Sequence, residues 1–213
     1  SYLKDMRKNP KDEMSLAYLE TITSQLAKVA IYITRERVSF VNDISKLTYQ
    51  NMLNISNGQE SLKIRYKSSV LEALNINDIS DEIFNEENLT NVMMKKSYDD
   101  IMRGSTKIGP HQDDLEFYIN DLDAKMYASQ GQQRSIVLSL KLAEINYLKT
   151  KTGTYPVLLL DDVLSELDLE RQKRLIHAVK NDYQCFITAT HLPNSLKLEQ
   201  TNCISIEDGK IKV

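Results

Sequence analysis

Pro156-Val157-Leu158-Leu159-Leu160-Asp161-Asp162 is a short apolar run that ends in two acids. A run without polar alternation has the pattern of a central parallel strand covered on both faces. In open α/β sheets, ligands sit outside the carboxyl ends of the strands. An acid at such a tip is placed to hold a magnesium ion, directly or through its waters, and Asp161 fits that role. Asp162 points the other way and can orient or deprotonate an attacking water. A strand that ends in aspartate also serves simply as a cap in many α/β folds, so the tip alone leaves both readings open.

Reading outward, Ser129-Gln130-Gly131-Gln132-Gln133-Arg134 opens a helical pattern over 132–149, with Val137, Leu138, Leu142, Ile145 and Leu148 expected inward. Serine just before a helix is an N-cap. The same helix start offers unpaired N–H groups and the positive end of a dipole, and glycine lets an anion come close. Ser129, Gly131 and the neighbouring amides can therefore grip a terminal phosphate. Downstream, Asp168 follows Ser165-Glu166-Leu167 and caps a helix over 167–179. A buried strand over 184–188 leads to Thr190-His191, where His191 can reach a phosphate oxygen at the same sheet edge. Residues 202–206 and 210–213 flank Asp208-Gly209 as a closing hairpin. Strands alternating with helices imply an α/β layer structure.

The other half has a different texture. Leu19, Ile22, Leu26, Val29 and Ile33 step by three and four, the seam of a coiled coil or antiparallel helix pair, and Phe40, Ile44 and Leu47 resume it. Such a stripe needs a facing helix, expected upstream of the first residue. Leu62, Ile64 and Tyr66 alternate with polar residues as a half-exposed strand. Residues 75–90 read as a loop with weak helix around Ile79, Ile83 and Phe84, and a helix is expected over 88–103. Leu115, Phe117 and Ile119 form a strand that Asn120-Asp121 turns back towards Met126 and Ala128. His111 with Asp113-Asp114 has no matching cysteine or histidine cluster and reads as a structural turn.

The 213 residues are 41% hydrophobic and 27% charged, with a net charge of -3. A general DNA-coating protein would be basic, so any nucleic-acid contact must come from a local patch. Lys63, Arg65 and Lys67 form one candidate, and Lys95, Lys96, Arg103 and Lys107 another; each also reads as an ordinary solvated face. No apolar run approaches the roughly 20 residues that cross a bilayer. Cys185 and Cys203 read as buried thiols of a reducing cytoplasm. The start at Ser1, without methionine, reads as a fragment. None of the six glycines stands in a G-x-x-x-x-G-K-[ST] phosphate loop.

Gly109-Pro110-His111-Gln112-Asp113-Asp114-Leu115, the Ser129–Arg134 run, and the stretch from Leu158 to Asp168 together resemble the C-terminal half of the RecF family of ABC-type, SMC-like ATPases. The resemblance implies a C-terminal lobe of an ATPase head over 107–213 and the remainder of a helical arm domain over 1–106. It implies that Ser129, Gln130, Gly131, Gln132 and Gln133 form a signature motif acting on ATP held by a partner protomer. It implies that Asp161 is the Walker B residue for Mg2+, that Asp162 stands at the catalytic glutamate position, that Asp168 lies in the D-loop, and that His191 matches the switch position. Gln112 stands where the family usually has arginine. The shorter Asp162 side chain implies slow hydrolysis suited to a switch. The partners implied are DNA at gaps and junctions, single- and double-stranded, RecR and the RecA pathway, and a second copy joined by ATP. Another SMC-like or transporter ATPase, or a non-enzymatic interaction fragment, are the alternatives.

Overall fold

The computed structural model describes residues 2–7, 12–165, 167–179, 183–191 and 202–212. They form two compact units, one of Ser1–Tyr49 with Ser61–Tyr127, the other of Gln50–Glu60 with Ala128–Val213. The divisions fall at 49/50, 60/61 and 127/128, whereas the sequence placed one at 106/107. A cut at 106/107 would separate two strands that pair within the first unit.

The first unit is built on α2 (Glu13–Ile55), which runs for 43 residues without glycine or proline, or roughly 64 Å at 1.5 Å per residue. Only its last turns belong to the second unit. Its buried positions are Leu19, Thr23, Ala27, Ala30, Ile31, Thr34, Val41, Ile44, Thr48, Met52 and Ile55. This face is rotated from the expected seam, and Val29 is 52% exposed. The inward face carries alanine and threonine, which a search for large apolar residues passes over. Thr48 keeps its hydroxyl satisfied by donating to the Ile44 carbonyl at 2.8 Å.

The stripe finds its cover inside the described chain. Ala27, Ala30 and Ile31 pack with Val70 and Leu74 of α3 (Ser69–Leu74) and with Leu89 and Met93 of α4 (Glu86–Lys95). Leu19 packs with Met6 of α1 (Tyr2–Met6) and Ile101 of α5 (Ser97–Arg103). The single helix expected over 88–103 is therefore two, broken at Lys96. Within the stretch read as a loop, Ile76 and Phe84 are core residues.

β1 (Leu62–Lys67) pairs antiparallel with β2 (Asp114–Ile119), in register from Leu62↔Ile119 to Lys67↔Asp114. Asn120 and Asp121 turn the chain at positive φ, as a two-residue hairpin requires. The returning strand β3 is only Leu122–Asp123; α6 (Ala124–Tyr127) replaces the expected continuation, and Met126 is exposed. Asp113, reached from sequence as a structural turn, accepts bonds from Tyr66, from Arg37 at 3.0 Å and from the Ser69 amide at 3.0 Å.

In the second unit, α7 (Gln130–Thr152) and α8 (Leu169–Ala178) pack on β4 (Leu158–Leu160) and β5 (Cys185–Ile187), which pair in parallel. Leu138, Leu142, Ile145, Leu158, Leu160, Leu164, Leu167 and Leu175 make the core. Val137, expected inward, is half exposed, and Ile136 is buried in its place. Among the described residues the strands are covered on one face only: Leu159 is 70% exposed, and Val157 and Phe186 lie open beside it. β6 (Ser205–Glu207) and β7 (Lys210–Lys212) form the expected hairpin. Cys185 is half-buried and Cys203 exposed, so the pair is not the two buried thiols expected.

Candidate functional site

The carboxyl edge of the parallel pair is where the acids collect. Asp161 follows the last residue of β4 directly, and Thr188 follows the last residue of β5. The Thr188 amide continues the ladder by donating to the Leu160 carbonyl at 2.9 Å. Its hydroxyl then joins the two aspartates, donating to Asp161 Oδ1 and accepting from the Asp162 amide at 3.0 Å. The second Asp161 oxygen takes no protein bond among the described residues, and the side chain is exposed. Asp162 sits at φ 46, a left-handed conformation that aspartate tolerates better than most residues. Ser165 Oγ donates back to the Asp162 carbonyl at 3.1 Å and closes the turn.

The start of α7 has a complete capping box. Ser129 Oγ accepts from the Gln132 amide at 3.2 Å, and Gln132 Oε1 accepts from the Ser129 amide at 2.9 Å. The amides of Gln130 and Gly131 come one and two residues after the cap, where a helix supplies no acceptor, and Gln130 is exposed. Gln132 is committed at both ends of its amide, since its Nε2 donates to Glu60 at 3.0 Å. Gln133 Nε2 donates to the Ala128 carbonyl at 3.2 Å.

Asp168 caps α8, accepting from the Arg171 amide at 2.9 Å. The Arg171 guanidinium meets both Glu60 oxygens at 2.7 and 2.9 Å, Ser135 Oγ at 2.6 Å and Asp168 Oδ2 at 3.2 Å. The bond to Glu60 raises the Arg171 pKa above its ordinary value, against the opposing pull of desolvation. Next to it, Gln172 Nε2 donates to the Leu164 and Leu167 carbonyls at 2.7 and 2.9 Å, pinning the turn that leads to Asp168. His191 is exposed and makes no hydrogen bond among the described residues.

The motif residues therefore fall into two bonded groups within the second unit: Asp161, Asp162 and Thr188, and Ser129, Gln132, Glu60, Arg171 and Asp168. Glu60, Ser135, Arg171 and Thr188 were missed as site residues. Thr188 had a signal, a hydroxyl one strand after an acidic strand tip. Glu60 had none, lying 111 residues from Arg171. Among the described residues no group of three metal-ligating side chains occurs. The open groove of about 1030 Å³ beside α7 and α8, lined by Asn54, Asn146, Arg174 and His177 among others, contains none of the motif residues.

No family model matches the sequence. The chain is 40% identical over 198 residues to the DNA replication and repair protein RecF of Halalkalibacterium halodurans, covering 91% of the chain and 52% of that protein. It is 39% identical over 215 residues to RecF of Streptococcus pyogenes, covering 100% of the chain and 55% of that protein. The chain is RecF-like along its whole length. It spans about half the length of the RecF relatives it matches. Solved structures agree. The recombination mediator protein RecF with ATP, of the RecFOR pathway, superposes with a TM-score of 0.76 at 32% identity, covering 99% of this chain and 54% of that one. RecF with ATPγS gives 0.75 at 34%, covering 99% and 53%. The chain shares the mixed helix and strand fold of these RecF structures.

Proposed function

We propose that this chain supplies the signature, Walker B and D-loop elements of a RecF-type ATPase, a DNA-binding switch that closes as a dimer on ATP. The observation that carries the reading is the pair Asp161 and Asp162 at the carboxyl edge of β4, held by Thr188. Hard oxygen donors suit magnesium. Thr188 occupies one Asp161 oxygen and leaves the other directed outward, which fits a metal or its water. Asp161 would hold Mg2+, which when bound offsets phosphate charge. Asp162, set off the strand by its left-handed backbone, would orient the attacking water and accept its proton.

The capped start of α7 would face the nucleotide of a second copy. The amides of Gln130 and Gly131 and the Ser129 hydroxyl, whose proton is not used by the capping box, are its donors. Gln132 acts from behind by holding the cap. His191, exposed past the end of β5, would contact a phosphate oxygen at the same edge. The partners on this reading are DNA at gaps and junctions, RecR and RecA, in a cytoplasmic repair pathway. The described residues contain no helix long and apolar enough to cross a membrane.

The test uses the full-length protein. Asp162→Asn should bind ATP and dimerise yet hydrolyse it at least tenfold more slowly. Unchanged turnover removes Asp162 from the chemistry. Ser129→Arg places a bulky cation on the helix start and should abolish ATP-dependent dimerisation in sedimentation; normal dimers remove the in-trans role.

A further inference from the structure

We propose that Arg171 is a positioning residue that locks the Asp168 loop and the glutamine-rich helix start into one piece, so that both meet a second copy's nucleotide together. The inference rests on the reading of that helix start as facing a second copy, and adds the part that coordinates it.

Two hydrogen-bonded routes leave Asp168 and converge on the first turn of α7. Along one, Arg171 bonds Asp168 and Ser135, and Ser135 Oγ donates to the Gly131 carbonyl at 2.9 Å. Along the other, Arg171 bonds Glu60, Glu60 accepts from Gln132, and Gln132 closes the capping box on Ser129. Arg171 is the branch point from which both depart. Only a guanidinium can do this, because its planar fork meets the Glu60 carboxylate with two parallel bonds and still presents Nε to Asp168.

The burial is graded. The Glu60 and Arg171 side chains are 9% and 18% exposed, whereas Asp168 is 63% exposed. Removing one member of a shielded ion pair strands the other, so Glu60 and Arg171 hold each other permanently. Asp168 is the outer member, carrying its second contact at the surface where an approaching molecule can compete for it. A pull on Asp168 is thus transmitted to the fixed Arg171–Glu60 pair and on to the amides of Gln130 and Gly131. Gln172 prevents the loop from yielding instead, since it anchors the Leu164 and Leu167 carbonyls.

The experiment uses the full-length protein with a slowly hydrolysed ATP analogue, reading the dimer dissociation constant by sedimentation and Tm by calorimetry. Arg171→Lys keeps the charge but cannot serve Glu60, Ser135 and Asp168 at once. It should raise the dimer dissociation constant about tenfold while Tm moves only a few degrees. Asp168→Asn should weaken the dimer similarly, and the double variant should be no weaker than either single one, because both cut the same connection. If Arg171→Lys lowers Tm by more than about ten degrees, Glu60→Gln, which keeps the acceptor oxygen and removes the charge, takes over the measurement with the same expectation. Blocked dimerisation of Ser129→Arg alongside an unaffected Arg171→Lys, or multiplied effects in the double variant, overturns the coupling alone. Normal dimerisation of Ser129→Arg overturns the underlying reading and the coupling with it.

Discussion

Asp113→Ala tests whether the first unit is organised as its hydrogen bonds indicate. The Asp113 side chain is 1% exposed and accepts from Tyr66 Oη, the Ser69 amide, Ser69 Oγ and Arg37 Nη1. Not all four are lost equally. Arg37 is 46% exposed and keeps its bond to the Pro110 carbonyl at 2.6 Å, so it contributes little. Ser69 Oγ keeps the Gly109 carbonyl at 2.8 Å and the Gly109 amide at 3.0 Å. The cost falls on the Tyr66 hydroxyl and the Ser69 amide, at about 1.5 kcal/mol each, or roughly 3 kcal/mol together. The assay is native-state hydrogen exchange at the Ser69 amide, which reads local opening without requiring two-state unfolding of a large protein. A change of about 3 kcal/mol is roughly a hundredfold loss of protection. Asp113→Asn keeps an acceptor oxygen and should lose about tenfold. Protection of Ser69 within about twofold of the unchanged protein in Asp113→Ala would refute the reasoning, because the amide would then not depend on this carboxylate.

Other outcomes follow from single contacts. Burial first, then the bond to Asp113, raises the Tyr66 phenol above its ordinary 10.0. The stability it contributes is complete below pH 10 and is lost as pH climbs from there through the raised value, so Tyr66→Phe should flatten the fall in unfolding midpoint above pH 10; parallel curves would discard the assignment. Gly153 ends α7 at φ 79 with open space where a Cβ would go, so Gly153→Ala should cost about 1 kcal/mol from backbone strain alone in urea unfolding. Burial pushes the Cys185 thiol up while Cys203 is exposed, so at pH 8 a maleimide should label Cys203 first, as peptide mapping would report.

Legibility differed between the units for a physical reason. The β4 strand, the Ser129 and Asp168 caps and the closing hairpin are local signals, each fixed by a few adjacent residues, and each stands where its pattern placed it. The buried face of α2 was misread because Ala27, Ala30 and Thr48 are inward through close packing and, for Thr48, back-bonding rather than through bulk. The break at Lys96 carries no glycine or proline to announce it. Glu60 could not be found from spacing, since its meaning depends on an arginine brought to it by the fold. The position of the acids at 161 and 162 was readable because the apolar strand that precedes them is itself a local signal.

The bare side of the two-stranded sheet has a practical cost. Leu159 and Phe186 are direct cross-strand neighbours, and with Val157 they leave an oily stripe facing solvent. Stripes of this kind invite self-association. A preparation of this stretch by itself should turn cloudy on concentration and bind hydrophobic dyes, and Leu159→Lys should clear it without touching the fold beneath.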